Sequence, residues 1–293
     1  MPIALLYHDV IARDQSDASG FPGGGAARYK LTPAEFRQHV NALQHAVCTP
    51  PVLAPDLLGH AGKEPGWLLT FDDGGISAID PIADLLEENG WKGHFFITVN
   101  YIDSPTFVSV EHIRALHRRG HVIGSHSCSH PERMSACGNA ELLNEWQRSR
   151  EVLSDIVGEP VTTASVPGGY YSLAVAQAAG QAGFRVLFNS EPTTRPQSVD
   201  GCLVLGRYTI YRGMSAKKAA ALAVGRFGPR LQQTLFWNIK KATKAAGGRL
   251  YLQVRKRLLT LAYERKGAGA LTAGQEQSGR AAERGTKSAR GPQ

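Results

Sequence analysis

Thr70-Phe71-Asp72-Asp73-Gly74 sets two carboxylates side by side directly after Trp67-Leu68-Leu69, an apolar run that reads as a buried strand. Adjacent acids raise each other's pKa and resist leaving water. A strand end that carries them points to a bound cation, a proton-transfer task, or a plain Asp-Asp-Gly turn in solvent. A second cluster bears on the choice. His126-Ser127-Cys128-Ser129-His130 follows the short strand pattern of His121–Gly124, so two imidazoles four residues apart also stand at a strand end. On one turn-like or helical segment that spacing lets both rings face a single ion. Two neutral imidazoles and one carboxylate suit a divalent transition metal and leave positions for water and substrate, as a catalytic site requires. An H-x-x-x-H by itself is weak, because a chain with 10 His produces such spacings by chance. The Asp pair at another strand end strengthens it.

Together the two motifs resemble those of the polysaccharide deacetylase family, whose shared region is the NodB-homology domain, over roughly residues 1–211. The resemblance implies a distorted (β/α) barrel and metal-dependent hydrolysis of N-acetyl, sometimes O-acetyl, groups on sugar polymers. Carried over by position, Asp73, His126 and His130 would hold a divalent metal, commonly Zn2+, and Asp72 would be the general base. Ser165-Val166-Pro167-Gly168-Gly169-Tyr170 stands where the family reads Arg-x-Pro-x-Gly. Pro167 and Gly169 are kept, Ser165 replaces the Arg, and Gly168 replaces an aromatic. Because this loop lends a backbone N–H to the family's oxyanion hole, Pro167, Gly168, Gly169 and Tyr170 are expected to serve oxyanion and substrate, with the Gly168 amide as donor. Arg207 is the candidate to support Asp72 in place of the missing Arg, a surface Arg being the alternative. Many members take a general acid from a late His, yet no His follows His130. Tyr7-His8-Asp9 resembles the N-terminal Tyr-His-x-Val element of circularly permuted members, which makes His8 the candidate acid and a partly buried structural His the alternative.

The surrounding pattern supplies elements to position these groups. Short apolar runs alternate with helical periodicity: strands are expected at Ile3–Tyr7, Trp67–Phe71, His94–Val99, His121–Gly124, Thr162–Val166, Phe184–Phe188, Cys202–Leu205 and Tyr208–Tyr211. Thr32-Pro33-Ala34-Glu35 is a capping box opening a helix to about Ala46, and further helices are expected over 110–118, 141–157 and 172–182. Ile79, Ile82, Leu85 and Leu86 also recur at helical spacing. An α/β fold with a distorted (β/α) barrel of about seven strands uses these segments economically and gathers the loops that follow the strands at one end. Gly23-Gly24-Gly25 reads as a flexible loop near the entrance, Cys128 as a residue that packs or faces solvent, and the remaining histidines as ordinary core or surface residues.

The chain of 293 residues, 42% hydrophobic and 20% charged, suits a soluble globular protein. Three regions are expected: a catalytic domain over 1–211, a basic helical extension over 212–266, and a disordered tail over 267–293. The net charge of +8 divides into −7 over 1–211 and +15 over 212–293. Residues 249–266 resemble a basic amphipathic helix, with packing on the barrel or peripheral contact with an anionic membrane as the alternatives. Nucleic-acid binding is disfavoured, since aromatics other than Tyr251 and Tyr263 do not interleave with the basic residues. The absence of an export signal, of a long apolar run and of a C-x-x-C pair favours a cytoplasmic location, at most peripheral to the inner membrane face. The expected partner is an N-acetylated glycan, such as a lipid-linked exopolysaccharide precursor; a small non-sugar amide, or silent glycan binding, is the competing reading. Oligomeric state is not legible.

Overall fold

The computed structural model describes residues 1–59 and 66–239. The basic segment 249–266, the tail 267–293 and His60 therefore lie outside the described residues. Nine strands form one sheet: β1 Ile3–Tyr7, β2 Trp67–Phe71, β3 His94–Ile97, β4 Val122–Ser125, β5 Thr163–Ser165, β6 Val186–Phe188, β7 Gln197–Val199, β8 Cys202–Leu205 and β9 Arg207–Thr209. The helices are α1 Gly24–Ala27, α2 Pro33–Ala46, α3 Ala54–Gly59, α4 Asp84–Glu87, α5 Val110–Arg118, α6 Asn139–Val157, α7 Leu173–Gln181 and α8 Ala216–Ala223, followed by a helical segment over 227–239. At the start of α2 the expected capping box is present, with Glu35 N–H donating to Thr32 Oγ1 at 3.2 Å and Thr32 N–H to Glu35 Oε2 at 2.8 Å.

The strand order is β7-β8-β6-β5-β4-β3-β2-β1-β9, with β7 and β8 antiparallel. β8 and β9 sit near opposite ends of that order, yet only Gly206 separates them in the chain. Leu205 pairs with Phe188 of β6, and Arg207 pairs with Ala4 of β1. The sheet must therefore curl until its ends meet, and the path from 202 to 209 is the stave that closes it. Counted so, the barrel has the expected seven staves, and β7 is an added edge strand. Gly206 is required here because a Cβ would stand 2.6 Å from Thr193 Cγ2 and closer still to the Glu191 carbonyl.

Two elements differ from the sequence expectation. β7 has exposed Gln197 and Ser198 and no apolar alternation; its register is set by a two-residue turn in which Asp200 (φ 47°) and Gly201 (φ 78°) are both left-handed. The periodic stretch 79–86 is not one helix. Asp80 leaves helical dihedrals (φ −140°, ψ 120°) and Pro81 has no N–H to donate, so the segment breaks before α4.

Side-chain parity fixes the two sides of the barrel wall. Leu5, Tyr7, Leu69, Phe71, Phe95, Ile97, Ile123, Ala164 and Leu187 belong to the core shared with the helices. Ala4, Leu68, Phe96, Val186, Phe188 and Leu205 pack with one another on the opposite, interior side, joined by Ala54 and Leu57 of α3. Thr70 and Asp72 continue the parity of Leu68, and Arg207 and Ser165 pair in register with the interior residues Ala4 and Phe188. The interior is thus apolar at its floor and polar toward the C-terminal ends of the strands.

Two buried histidines in the wall are held neutral. His94 accepts from the Ala54 N–H at 2.8 Å while its other ring nitrogen meets the Leu69 carbonyl at 2.9 Å. His121 accepts from the Gly93 N–H at 3.1 Å and faces Glu87 Oε1 at 2.9 Å. Burial pushes both pKa values down to about 4, and a second ring proton would point at a backbone donor. Each folded value lies below the unfolded one of about 6.5. The stability that depends on neutral rings is therefore complete above pH 6.5 or so and is lost as pH falls toward 4. Thermal melts across that window should show Tm dropping with acidity; a flat profile there would contradict the assignment.

Candidate active site

Asp72 is placed on the barrel axis by strand parity, where a carboxylate without a partner would be strongly disfavoured. Arg207, 0% exposed, meets it from the closing stave. Its Nη1 donates to Asp72 Oδ1 at 2.7 Å and its Nη2 to Oδ2 at 2.8 Å, a planar fork on both oxygens. The remaining guanidinium protons go to the Thr70 hydroxyl (3.2 Å), the Ser165 hydroxyl (2.7 Å) and the Asn189 carbonyl (3.0 Å). Beneath it lie the rings of Phe96 and Phe188, each 5.8 Å from the guanidinium carbon. Ser165, at the position where the family motif has Arg, donates to the same Asp72 carboxylate at 3.0 Å. Burial alone would raise the Asp72 pKa; the Arg207 charge and hydrogen bonds, together with His126 and His8, outweigh it and hold the carboxyl below the usual range. The candidate support for Asp72 is thus in contact with it and is not a surface residue.

Asp73 turns the other way. It has φ 78°, a left-handed conformation unusual for Asp, and leaves the strand path at once. Its Oδ1 lies 3.4 Å from His126 Nε2 and 3.7 Å from His130 Nε2. One ligand atom from each of the three residues falls within 4.8 Å of the others. His126 Nδ1 meets the Ser165 carbonyl at 3.0 Å, so its proton resides there and the Nε2 lone pair faces Asp73. Burial keeps His130 less basic than usual. Three acceptors directed at one point repel one another unless a cation lies among them, and this donor set fits a divalent metal. Asp73 itself is held far below the ordinary carboxylate range: burial opposes this, but the closeness of His126, His8 and His130 outweighs it.

Ser127 (φ 64°) and His130 (φ 57°) are also left-handed, so the segment bearing the imidazoles is a strained loop and not a helix turn. Glu145 of α6 holds it, accepting from the N–H groups of Cys128 and Ser129 at 2.9 Å each and from the Ser129 hydroxyl at 2.8 Å. Glu145 escaped sequence reading because in a helix pattern it is one polar position among many. Cys128 packs in the core, and burial pushes its thiol up to about 11.

His8 follows β1, whose Tyr7 pairs with Phe71, so it stands beside Asp72 at the same end of the barrel. Its ring stacks on Tyr29 with centroids 4.9 Å apart, and its charge helps to lower both Asp72 and Asp73. The Asp9 carboxylate accepts from the hydroxyls of Ser19 (2.6 Å) and Ser77 (2.8 Å). Pro167, Gly168 (φ 59°) and Gly169 (φ 69°) form a tight turn after β5, and Arg133 lies 5.7 Å from the ring centroid of Tyr170, linking this loop to the His130 loop. At the entrance Phe21 packs on His130 with centroids 4.7 Å apart, its segment tied down by Lys30 Nζ donating to the carbonyls of Ser16, Ser19 and Phe21. The Gly23–Gly25 stretch beside it is not the expected loop: Gly23 is the N-cap of α1, and Gly24 and Gly25 are its first residues.

Residues 59–187 match the family model described as polysaccharide deacetylase. That span includes Asp72, Asp73, His126, His130 and the 167–170 turn but neither His8 nor Arg207. A chitin deacetylase of Arthroderma benhamiae is 31% identical over 106 residues, covering 36% of this chain and 28% of that protein. A peptidoglycan-N-acetylglucosamine deacetylase of Listeria monocytogenes is 32% identical over 114 residues, covering 38% and 23%. The chain thus spans about a quarter of the length of the curated relatives it matches. In fold it is similar to the Streptococcus pyogenes deacetylase PplD solved in complex with acetate, with a TM-score of 0.60 at 17% identity, covering 73% of this chain and 94% of that one.

The Asp72–Arg207 pair yields a direct test. Arg207→Met strands a buried carboxylate and should cost about 3–5 kcal/mol of unfolding free energy. The double variant Asp72→Asn/Arg207→Met buries no lone charge and should regain part of that loss in denaturant titrations. Strictly additive losses would show that the two side chains are not coupled.

Proposed function

We propose, for a chain that belongs over residues 59–187 to the polysaccharide deacetylase family, the function of a metal-dependent carbohydrate deacetylase acting on N-acetyl groups of a glycan. The observation that carries this reading is the opposite commitment of two neighbouring acids: both oxygens of Asp72 are taken by Arg207, while Asp73 faces His126 and His130. Asp73, His126 and His130 would hold the metal, for which zinc is our choice from the mixed imidazole and carboxylate donors. Bound there, the metal would supply Lewis-acid polarisation of the acetyl carbonyl and acidify water.

The chain's own residues account for the proton movements. Water adds to the acetyl carbon, the C–N bond breaks, and acetate and a free amine leave. Asp72 is ionised at neutral pH and accepts the proton that water loses; Arg207 fixes the plane of its carboxylate and keeps it out of the ligand set. The amine needs a proton in turn. His8 supplies it, being the imidazole outside the triad whose charge is felt by both acids. The Gly168 amide, in the turn that follows β5, donates to the developing oxyanion. A lipid-linked oligosaccharide precursor is the substrate we favour, with the basic residues 249–266 drawn to anionic lipid.

Metal analysis paired with acetate release from chito-oligomers tests the assignment. Asp72→Asn should keep its metal and lose on the order of 10²–10⁴ in rate, whereas Asp73→Asn should lose metal and rate together. Metal loss from Asp72→Asn would exchange the two roles. His8→Ala should depress turnover by about 10² or more with metal content unchanged; near-normal turnover would remove His8 from the mechanism.

A further inference from the structure

Residues 227–239 read Phe-Gly-Pro-Arg-Leu-Gln-Gln-Thr-Leu-Phe-Trp-Asn-Ile, and they form an amphipathic helix mounted the wrong way round for a soluble protein. Its polar side holds it to the barrel. Arg230 donates to the Tyr208 hydroxyl at 2.8 Å and to Thr194 Oγ1 at 3.1 Å. Gln233 exchanges hydrogen bonds with the backbone N–H and carbonyl of Thr209 at 3.1 and 2.9 Å, and Thr234 donates to the Pro192 carbonyl at 3.0 Å. The apolar side faces out: Phe227 is 76% exposed, Leu231 41%, Leu235 54%, Phe236 61% and Ile239 63%. At about 100° per residue, positions 227, 231, 235 and 239 advance by only about 40° each, so they form one continuous stripe. Surface helices ordinarily bury such a stripe, and an outward one marks an interaction face.

The charge of the region says what that face meets. No Asp or Glu occurs between Asp200 and Glu264, a stretch that contains Arg226, Arg230, Lys240, Lys241, Lys244 and Arg249 among its cations. Arg226, at the start of the helix, is exposed. A second copy of this chain would bring the same cations against their likes across a self-complementary interface, which is unfavourable. An anionic lipid surface satisfies both features at once, since acyl chains receive the apolar stripe and headgroups the cations.

We infer that residues 227–239 are a membrane-docking face that seats the chain on anionic lipid with the rim of the active site alongside. The helix is fastened to the end of β9 and to residues 192–194, and its Trp237 reaches the active-site turn: a Cβ on Gly169 would stand 3.2 Å from the Trp237 ring. This placement rests on the deacetylase reading only for its purpose, which is to bring a lipid-linked glycan to the barrel mouth. The docking itself depends on the helix.

Flotation of the full chain with phosphatidylcholine vesicles, with and without phosphatidylglycerol, tests it. Binding is expected to the anionic vesicles and to weaken with salt. Leu231→Ser/Leu235→Ser/Phe236→Ser, all at exposed positions, should lower the partition coefficient by about tenfold or more and leave acetate release from soluble chito-oligomers unchanged. Equal partitioning of variant and parent, absence of binding by the parent, or a parent dimer that the substitutions dissolve would each overturn the docking face. Vesicle binding that the substitutions abolish, in a protein without acetate release, would sustain the docking face and count against the deacetylase reading instead.

Discussion

The ion pair between Asp72 and Arg207 is the constraint on which the rest of the site depends. A carboxylate on the axis of a barrel floored with Phe96 and Phe188 persists as an anion only if a cation is buried with it. Arg207 is that cation, and every guanidinium proton has an acceptor, so the pair is satisfied as a unit. Because Arg207 lies on the stave that closes the barrel, formation of the site and closure of the fold are the same event.

That pairing also separates two acids that sequence alone makes equivalent. Once both oxygens of Asp72 are engaged, Asp73 is the carboxylate left to face the imidazoles. Its left-handed backbone, and those of Ser127 and His130, show where the chain accepts strain to bring one carboxylate and two imidazoles together. Rigid neighbours sustain this: Glu145 anchors the imidazole loop, and the Ser165 carbonyl selects the tautomer of His126. Ser165 thus contributes a hydroxyl to Asp72 and a carbonyl to His126, linking the two halves of the centre.

Around the mouth, the pieces that close on the site come from distant parts of the chain. Phe21 covers one side of His130, Tyr170 and Arg133 join two of the loops, and Trp237 backs the Gly169 turn. The polar attachments of the 227–239 helix leave its apolar stripe outward, so an acidic barrel presents a basic, greasy edge beside its opening.

Local chemistry was legible from the residues in order. The Asp pair, the His pair, the capping box of α2 and most strands follow from spacing and polarity, because each is a property of neighbours along the chain. Three things were not. Strand β7 lacks apolar alternation and exists because its turn presses it against β8; the 79–86 stretch breaks at Pro81 despite its periodicity. Glu145 looked like any helix-surface acid until the loop it grips came into view. The partner of Asp72 was legible in part: Arg207 could be named as a candidate, with Ser165 at the motif's Arg position, but that Arg207 is buried against a carboxylate 135 positions away and does not lie at the surface emerges only from the closed barrel. Sequence fixes which groups can carry charge, but which charges meet is decided by barrel closure, since only burial makes an unpaired carboxylate costly enough to require one particular arginine.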